Sequence, residues 1–386
     1  MKNILCAFSE PDCGLLEEIY IFGKKHNWQI EQCGRQLPVN WFGDGVLTDY
    51  LQAVELRQIR NFSRTPTIAR EFHREKNIWT VAGDTRQIAT MVAEYFIGKG
   101  YSRFAAIDSR EWPGNYNGIP QDLVKAFQLV LSEHGFSLEI CHWKPDMNSD
   151  ERINYATVIP KLEQFFRRLP KPVALLIPNS LYLAITYRVL AAARIKVPEE
   201  VAILCNTDSS MMADNALIPT TRISGELREV GRKMADLLHR IMIGETVSHA
   251  PVFVTSAAIV SRRSTDTLAV PDLRLATAIS FLLANYMNFI SVVDAAHEAG
   301  ISASMLNRKF RRYLGISPQR FLLELRLNRI RELLDNTELS LSKIAKQTGY
   351  GSSMALSSAF KRETGMTPGT YRQSRRSGQT SNLPPR

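Results

Sequence analysis

The chain has 386 residues, 45% of them hydrophobic and 9% aromatic. It is too long for one ordinary core, and two or three domains are expected. No run approaches the roughly 20 apolar residues that span a bilayer, and the five cysteines are scattered without a CxxC pair, so neither a membrane-spanning segment nor a disulfide framework is expected. The apolar start Met1–Phe8 is too short for a signal peptide, and reduced thiols fit a cytoplasmic location. The net charge of +10 is unevenly placed. Residues 270–386 hold 17 Lys and Arg against 8 Asp and Glu, a net of +9, which leaves +1 for the first 269. Such concentration points to an anionic partner for the last third, nucleic acid first, with a basic solubility surface as the alternative.

In chain order, strand-like runs are predicted at 4–8, 29–32, 45–47, 67–68, 78–81, 104–107, 138–141, 174–177 and 201–204. Amphipathic helices are predicted between them at 85–99, 121–134, 154–168, 181–193 and 225–243. Strands separated by helices of this length indicate βαβ units and parallel sheets. The expected fold class is α/β, with two doubly wound lobes and a ligand crevice beyond the strand C-termini. The stretch Ser261-Arg-Arg-Ser-Thr-Asp-Thr-Leu-Ala-Val-Pro271 lacks periodicity and reads as a linker. Beyond it the pattern is all-α. The expected layout is a sensing domain over 1–262, a linker over 263–271, a helical domain over 272–373 and a disordered tail over 374–386.

The helical part contains an internal repeat offset by 50 residues. Phe310-Arg-Arg-Tyr-Leu-Gly-Ile-Ser-Pro318 matches Phe360-Lys-Arg-Glu-Thr-Gly-Met-Thr-Pro368, with an aromatic residue three positions later in each, Phe321 and Tyr371. Leu306 matches Leu356. Upstream, Ala296-x-x-x-Gly300 matches Ala345-x-x-x-Gly349. Val292, Val293 and Ala296 are expected to form one apolar face, and Leu341, Ile344 and Ala345 its counterpart. The small Ala lets a second helix cross closely, the Gly allows a sharp turn, and Ser302, or Ser352 or Ser353, caps the next helix. Leu306 and Phe310, or Leu356 and Phe360, then bury at i, i+4 spacing. Each copy is a predicted helix-turn-helix. A continuous helix over 318–335 joins them, long enough at about 1.5 Å per residue to set two recognition helices about one DNA turn apart. A bundle whose hairpins only bury each other is the competing reading.

These residues resemble the AraC/XylS-type DNA-binding domain, whose signature is similar to Gly349-Tyr-Gly-Ser-Ser-Met-Ala-Leu-Ser-Ser-Ala-Phe-Lys-Arg-Glu-Thr-Gly-Met-Thr-Pro-Gly-Thr-Tyr-Arg372. The resemblance covers 272–373. Ala355 and Leu356 stand where the family usually has an aromatic pair, and Ser358 where Arg is common. The resemblance implies double-stranded DNA as a partner. It places Ser304, Asn307 and Arg308 at base edges, where Arg reads guanine and Asn reads adenine. Arg311 flanks them. Ser353, Met354 and Ser357 hold the corresponding places in the second unit, and Lys361 and Arg362 suit phosphates, which position without reading sequence. More base specificity is therefore expected from the first unit.

In the N-terminal part there is no GxSxG elbow, GxxxxGK[ST] loop or HExxH motif. Neither an enzyme, a metal nor a cofactor is expected. Gly43-Asp-Gly-Val-Leu47, Val81-Ala-Gly-Asp-Thr85, Gly100-Tyr-Ser-Arg-Phe-Ala105 and Ile195-Lys-Val-Pro-Glu-Glu-Val-Ala-Ile203 resemble the periplasmic-binding-protein-like sensor of the lactose and ribose repressor family, without that family's N-terminal DNA-binding head. The resemblance implies a carbohydrate effector, a pentose such as xylose first, and a homodimer. The ligand-binding residues it implies are Asp84, Asn179, Thr207 and Asp208, completed by Phe8, Ser9 and Trp112. Leu123 stands where the family commonly has a ligand-binding Arg, and Thr207 where Asp is usual. The competing functions are a DNA binder whose N-terminal part only dimerises, and a sugar-modifying enzyme with a DNA-binding tether.

Overall fold

The computed structural model describes residues 1–8, 13–33, 38, 41–48, 65–70, 76–108, 115–116, 119–120, 122–142 and 155–376. They form two compact units, Met1–Thr265 and Asp266–Arg386.

The first unit is built on two six-stranded sheets. One contains β1 (Lys2–Ala7), β2 (Trp28–Cys33), β3 (Gly45–Thr48), β4 (Thr67–Ala69), β5 (Ile78–Gly83) and β13 (Val252–Val254), in the order β13-β5-β4-β3-β1-β2. All its pairings are parallel. The other contains β6 (Phe104–Asp108), β9 (Leu138–His142), β10 (Val173–Ile177), β11 (Val201–Asn206), β12 (Thr221–Ser224) and β14 (Ala258–Val260), in the order β14-β12-β11-β10-β6-β9. It is parallel except for the antiparallel edge strand β14. Between these sheets' strands in sequence, β7 (Asn115–Tyr116) and β8 (Ile119–Pro120) make a small antiparallel ladder. Near-continuous burial of Val173–Ile177 and Val201–Cys205 is what helices on both faces of a parallel sheet produce.

The first lobe's core joins Ile4, Cys6 and Leu47 to α1 (Cys13–Lys25) and α7 (Glu226–Met242), through Leu15, Ile19, Val230, Met234 and Leu238. These two helices meet at Gly231. A Cβ there would lie 2.4 Å from the Leu15 carbonyl oxygen, so the close approach needs glycine. The second lobe carries α2 (Thr85–Gly98), α3 (Leu123–Glu133), α4 (Tyr155–Arg168), α5 (Leu183–Ala192) and α6 (Ser210–Asp214). Its core includes Phe165, Phe166, Leu175, Ile203 and Tyr187. The chain passes between the lobes three times, at Gly83–Asp84, Ser224–Glu226 and Val254–Ala258. The crossings are bonded to each other. Asp84 N donates to the Val254 carbonyl at 3.0 Å, and Ser256 Oγ donates to the Gly225 carbonyl at 3.1 Å.

The nine predicted strands and five predicted helices are present, with ends within a few residues. The strands β7, β8, β12, β13 and β14 and the helices α1 and α6 were not among those predicted. In the stretch read as a linker, Ser264 and Thr265 are fully buried. Thr221 N donates to Ser264 Oγ at 2.8 Å, and that hydroxyl donates to the Ile203 carbonyl at 2.6 Å. The Thr265 hydroxyl lies 2.6 Å from that of Thr221 and 2.7 Å from that of Tyr95.

The second unit is helical throughout. Its elements are α8 (Leu273–Asn285), α9 (Val292–Glu298), α10 (Ala303–Leu314), α11 (Pro318–Asn336), α12 (Leu341–Lys346), α13 (Ser353–Thr364) and α14 (Pro368–Arg376). Side-chain oxygens of Asp272, Ser291, Ser302, Ser317, Ser340 and Ser352 cap the first six of these, each satisfying an otherwise orphaned N–H. Ser352, not Ser353, is the cap of α13. Two separate cores result. One joins Leu275, Ile279, Ala296, Leu306, Phe310 and Leu322. The other joins Leu327, Ile330, Ile344, Ala345, Leu356, Phe360 and Tyr371. One expectation fails: Val293 is 63% exposed. Burial follows Val292, Ala295, Ala296 and Ala299, the i, i+3, i+4, i+7 spacing of one helix face, and Val293 falls a further 100° round. The helix α14 runs past the predicted domain end at 373, and residues 377–386 lie outside the described ones.

Candidate functional site

The repeat produces two helix-turn-helix units, α9–α10 and α12–α13, on either side of α11. In each, a fully buried Leu and Phe hold the second helix against the first, and an edge-to-face aromatic pair closes the packing. Phe310 meets Phe321 at 5.6 Å, and Phe360 meets Tyr371 at 5.4 Å, between ring centroids. That leaves the opposite faces of α10 and α13 in solvent. On α10, Ser304, Arg308 and Arg311 are exposed and Asn307 is half-buried. On α13, Met354, Lys361 and Arg362 are exposed, and Ser353 and Ser357 are half-buried. Among the described residues, no carboxylate lies within ion-pair distance of Arg308, Arg311 or Lys361, whereas Arg362 approaches Glu363 at 3.3 Å. Each helix thus offers one polar face, with Asn307 and Arg308 on the first and an exposed methionine on the second.

Some residues that set this surface were not singled out in the sequence. Lys309, on α10, is ion-paired to Asp272, the cap of α8, which draws the Asp272 carboxyl below its usual range against an opposing burial effect. Lys309 therefore orients the first recognition helix. Arg320, at the start of α11, donates to Glu324 at 2.8 Å and to Glu363 on α13 at 2.5 Å. Nothing in the repeat marks Asp272 or Glu363 as partners, because the Lys309–Asp272 and Arg320–Glu363 pairs join elements distant in sequence.

In the first unit, most of the candidate effector residues gather at strand C-termini beside the crossings. Asp208, after β11, accepts from Gly225 N at 2.6 Å and Leu227 N at 2.8 Å. Asp84 accepts from Gln87 N at 3.0 Å and caps α2. Both carboxylates therefore already hold helix N-termini, whose positive dipole ends favour them. Thr207 is buried and its hydroxyl accepts from Ser209 N at 3.1 Å. Asn179 is half-buried just after β10. Phe8 is apart from these: it is 2% exposed and packs in the first lobe's core with Ile4, Leu15 and Val230. Ser9 and Trp112 lie outside the described residues. Leu123 begins α3.

A further carboxyl, Glu226, sits among them. It is buried directly against Gly83, where a Cβ would collide with its Oε1 at 1.4 Å. Burial pushes its pKa up to about 7; Arg70 opposes the rise, and Asp208 and Asp84 add to it. In the sequence it looks like an ordinary acidic residue in the first turn of a helix. Among the described residues, no group of three or more His, Cys, Asp or Glu forms a metal site, and no helix is long and apolar enough to cross a membrane.

Comparison with known proteins divides the chain the same way. A helix-turn-helix domain family matches residues 295–374, and a periplasmic binding protein-like domain family matches residues 93–265. The xylose operon regulatory protein of Escherichia coli K12 is 22% identical over 341 residues, which is 86% of this chain and 84% of that protein. Its namesake in Haemophilus influenzae is 27% identical over 180 residues, 47% of this chain and 46% of the other. The structure of the xylose-binding transcription activator XylR superposes with a TM-score of 0.65 at 20% identity, over 96% of this chain and 98% of that one. The chain carries an AraC-type helix-turn-helix domain behind a periplasmic-binding-protein-like domain, and with it the layout of a DNA-binding transcription regulator under effector control.

Proposed function

We propose that this regulator reads double-stranded DNA as a homodimer in the cytoplasm, that its effector is a carbohydrate, with pentoses such as xylose the first class to test, and that it performs no catalysis. The observation that carries the DNA reading is the exposed Arg308 beside the half-buried Asn307 on the outward face of α10, within a segment of net charge +9. Arg and Asn are the side chains that bond guanine and adenine bidentately in the major groove. The sugar reading rests on polar groups at strand C-termini of two parallel-sheet lobes, Asn179, Thr207 and Asp208, and on the names of the xylose regulators. Ligand held across the crossings would favour one lobe arrangement, and differential affinity for the two arrangements would do the switching.

Binding of Arg308→Ala and Met354→Ala variants to duplexes recovered from a random pool by the unmodified chain tests the division of labour. Arg308→Ala is expected to lose about 1–3 kcal/mol of discrimination at one base position, and Met354→Ala to lose little. Equal losses would refute the asymmetry. For the effector, thermal shift against pentoses, hexoses and sugar acids is decisive. A ligand present at about 100 times its Kd is expected to add about 2.7 kcal/mol to the unit that binds it. A flat response across all three classes would remove the sugar reading.

A further inference from the structure

The two helix-turn-helix units have separate apolar cores, and they share α11, which gives Leu322 to one and Leu327 and Ile330 to the other. Between the units, half-way along α11 and apart from the Arg320–Glu363 pair, lies Arg326. Its guanidinium donates to three backbone carbonyls of the segment joining α8 to α9: Nε to Tyr286 at 3.0 Å, and Nη2 to Asn288 at 3.0 Å and Ile290 at 3.1 Å. On the other side it stands over the Tyr350 ring, 5.7 Å from its centroid. Tyr350 follows the turn of the second unit. Beside it, Gly349 is pressed onto the same segment of the first unit. A Cβ at Gly349 would lie 2.4 Å from the Asn288 oxygen, 2.8 Å from the Tyr286 oxygen and 2.7 Å from Arg326 Nη2.

The repeat supplies an internal control. Gly300 is the counterpart of Gly349 in the first unit, and both have left-handed backbone, with φ of 63° and 71°. Yet a Cβ at Gly300 would meet nothing within 4 Å. The turn therefore asks for glycine twice, but only the second copy asks for it because another unit is packed there. A planar fork is also the side chain suited to several carbonyls at once, a task a lysine ammonium does less well.

We propose that Arg326 and Gly349 form a clasp that locks the two helix-turn-helix units into one orientation, and that the clasp sets the base-pair spacing between the two sequences the units read. Arg326 is then a positioning residue, acting on specificity through α10 and α13 without touching DNA. The proposal rests on the DNA-reading function above, so its test includes a measurement made without DNA.

Spin labels carried by unnatural amino acids at Ala303 and Ser358, exposed positions on α10 and α13, report the distance between the recognition helices in the full chain. The unmodified chain and Gly300→Ala are expected to give a single narrow distribution. Arg326→Ala and Gly349→Ala are expected to broaden it, with Arg326→Lys between the two. Should Gly349→Ala fail to fold, the Arg326 pair decides alone. A distribution as narrow in Arg326→Ala as in the unmodified chain would overturn the clasp, whatever the change in thermal stability. In the second arm, a base pair is inserted between the two contacted sequences of a recovered duplex. The unmodified chain is expected to lose affinity by about tenfold or more, and Arg326→Ala to lose markedly less. An identical spacing penalty in both proteins would also overturn it. Recovery of no duplex at all would strike the DNA-reading function and leave the distances to judge the clasp.

Discussion

Phe310→Ala is expected to remove about 3–5 kcal/mol of stability from the second unit, the usual range for deleting a buried ring. The side chain is fully buried, packs edge-to-face on Phe321 and holds α10 against α9. The hole opens beneath the face that carries Asn307 and Arg308, so DNA binding is expected to fall with the packing. Phe360→Ala is expected to do the same through α13. Denaturant titration of the full chain followed by hydrogen exchange separates the units. Protection is expected to drop across 266–376 and to persist across 1–265. A change below about 1 kcal/mol would mean that the core tolerates the cavity and that the ring does not hold α10 against α9.

Glu226→Gln is expected to stabilise the protein above neutral pH. The folded-state pKa of about 7 lies above the ordinary 4.5, chiefly because burial penalises the charged form. The sign follows from proton counting. Between those two values the folded state binds more protons than the unfolded one, so stability falls as pH rises. Below 4.5 Glu226 carries no penalty; above 7 it carries the full one, about 3 kcal/mol at 1.36 kcal/mol per unit. Glutamine imitates the protonated acid and removes that slope. Chemical denaturation at pH 5, 6, 7 and 8 checks it: the two proteins are expected to converge at pH 5 and diverge by pH 8. Parallel curves would show that the carboxyl is ionised and compensated throughout.

The parts of this molecule that were legible in its sequence are those written in local periodicity. The apolar runs of β10 and β11, the caps Ser302 and Ser352, the buried pairs Leu306–Phe310 and Leu356–Phe360 and the long helix between the repeats all follow from spacing along the chain. The strands β12, β13 and β14 did not: they are no longer than β3 and β4, which were predicted, and they take their places by pairing with neighbours distant in sequence, as Val252 does with Val81. The same holds for the sites. Asp84 and Asp208 stand out only through the resemblance to the sensor family, as ligand-binding positions. That each is bonded to the start of a helix, and that Glu226 is buried beside them, depends on which crossings the fold brings together. Arg326 looks like one of several basic residues on a solvated helix until Tyr286, Asn288 and Ile290 are placed around it.

The buried hydroxyls of Ser264 and Thr265 bear on how a signal leaves the first unit. Among the described residues, their partners Thr221, Ile203, Tyr95 and Arg262 all belong to the second lobe or to the segment leaving it. Among the described residues, the polypeptide is thus riveted to that lobe where it departs toward the helix-turn-helix repeats. On the proposed switching, a swing of the lobes about their three crossings would carry the departing segment with the second lobe, as a crank travels with its wheel.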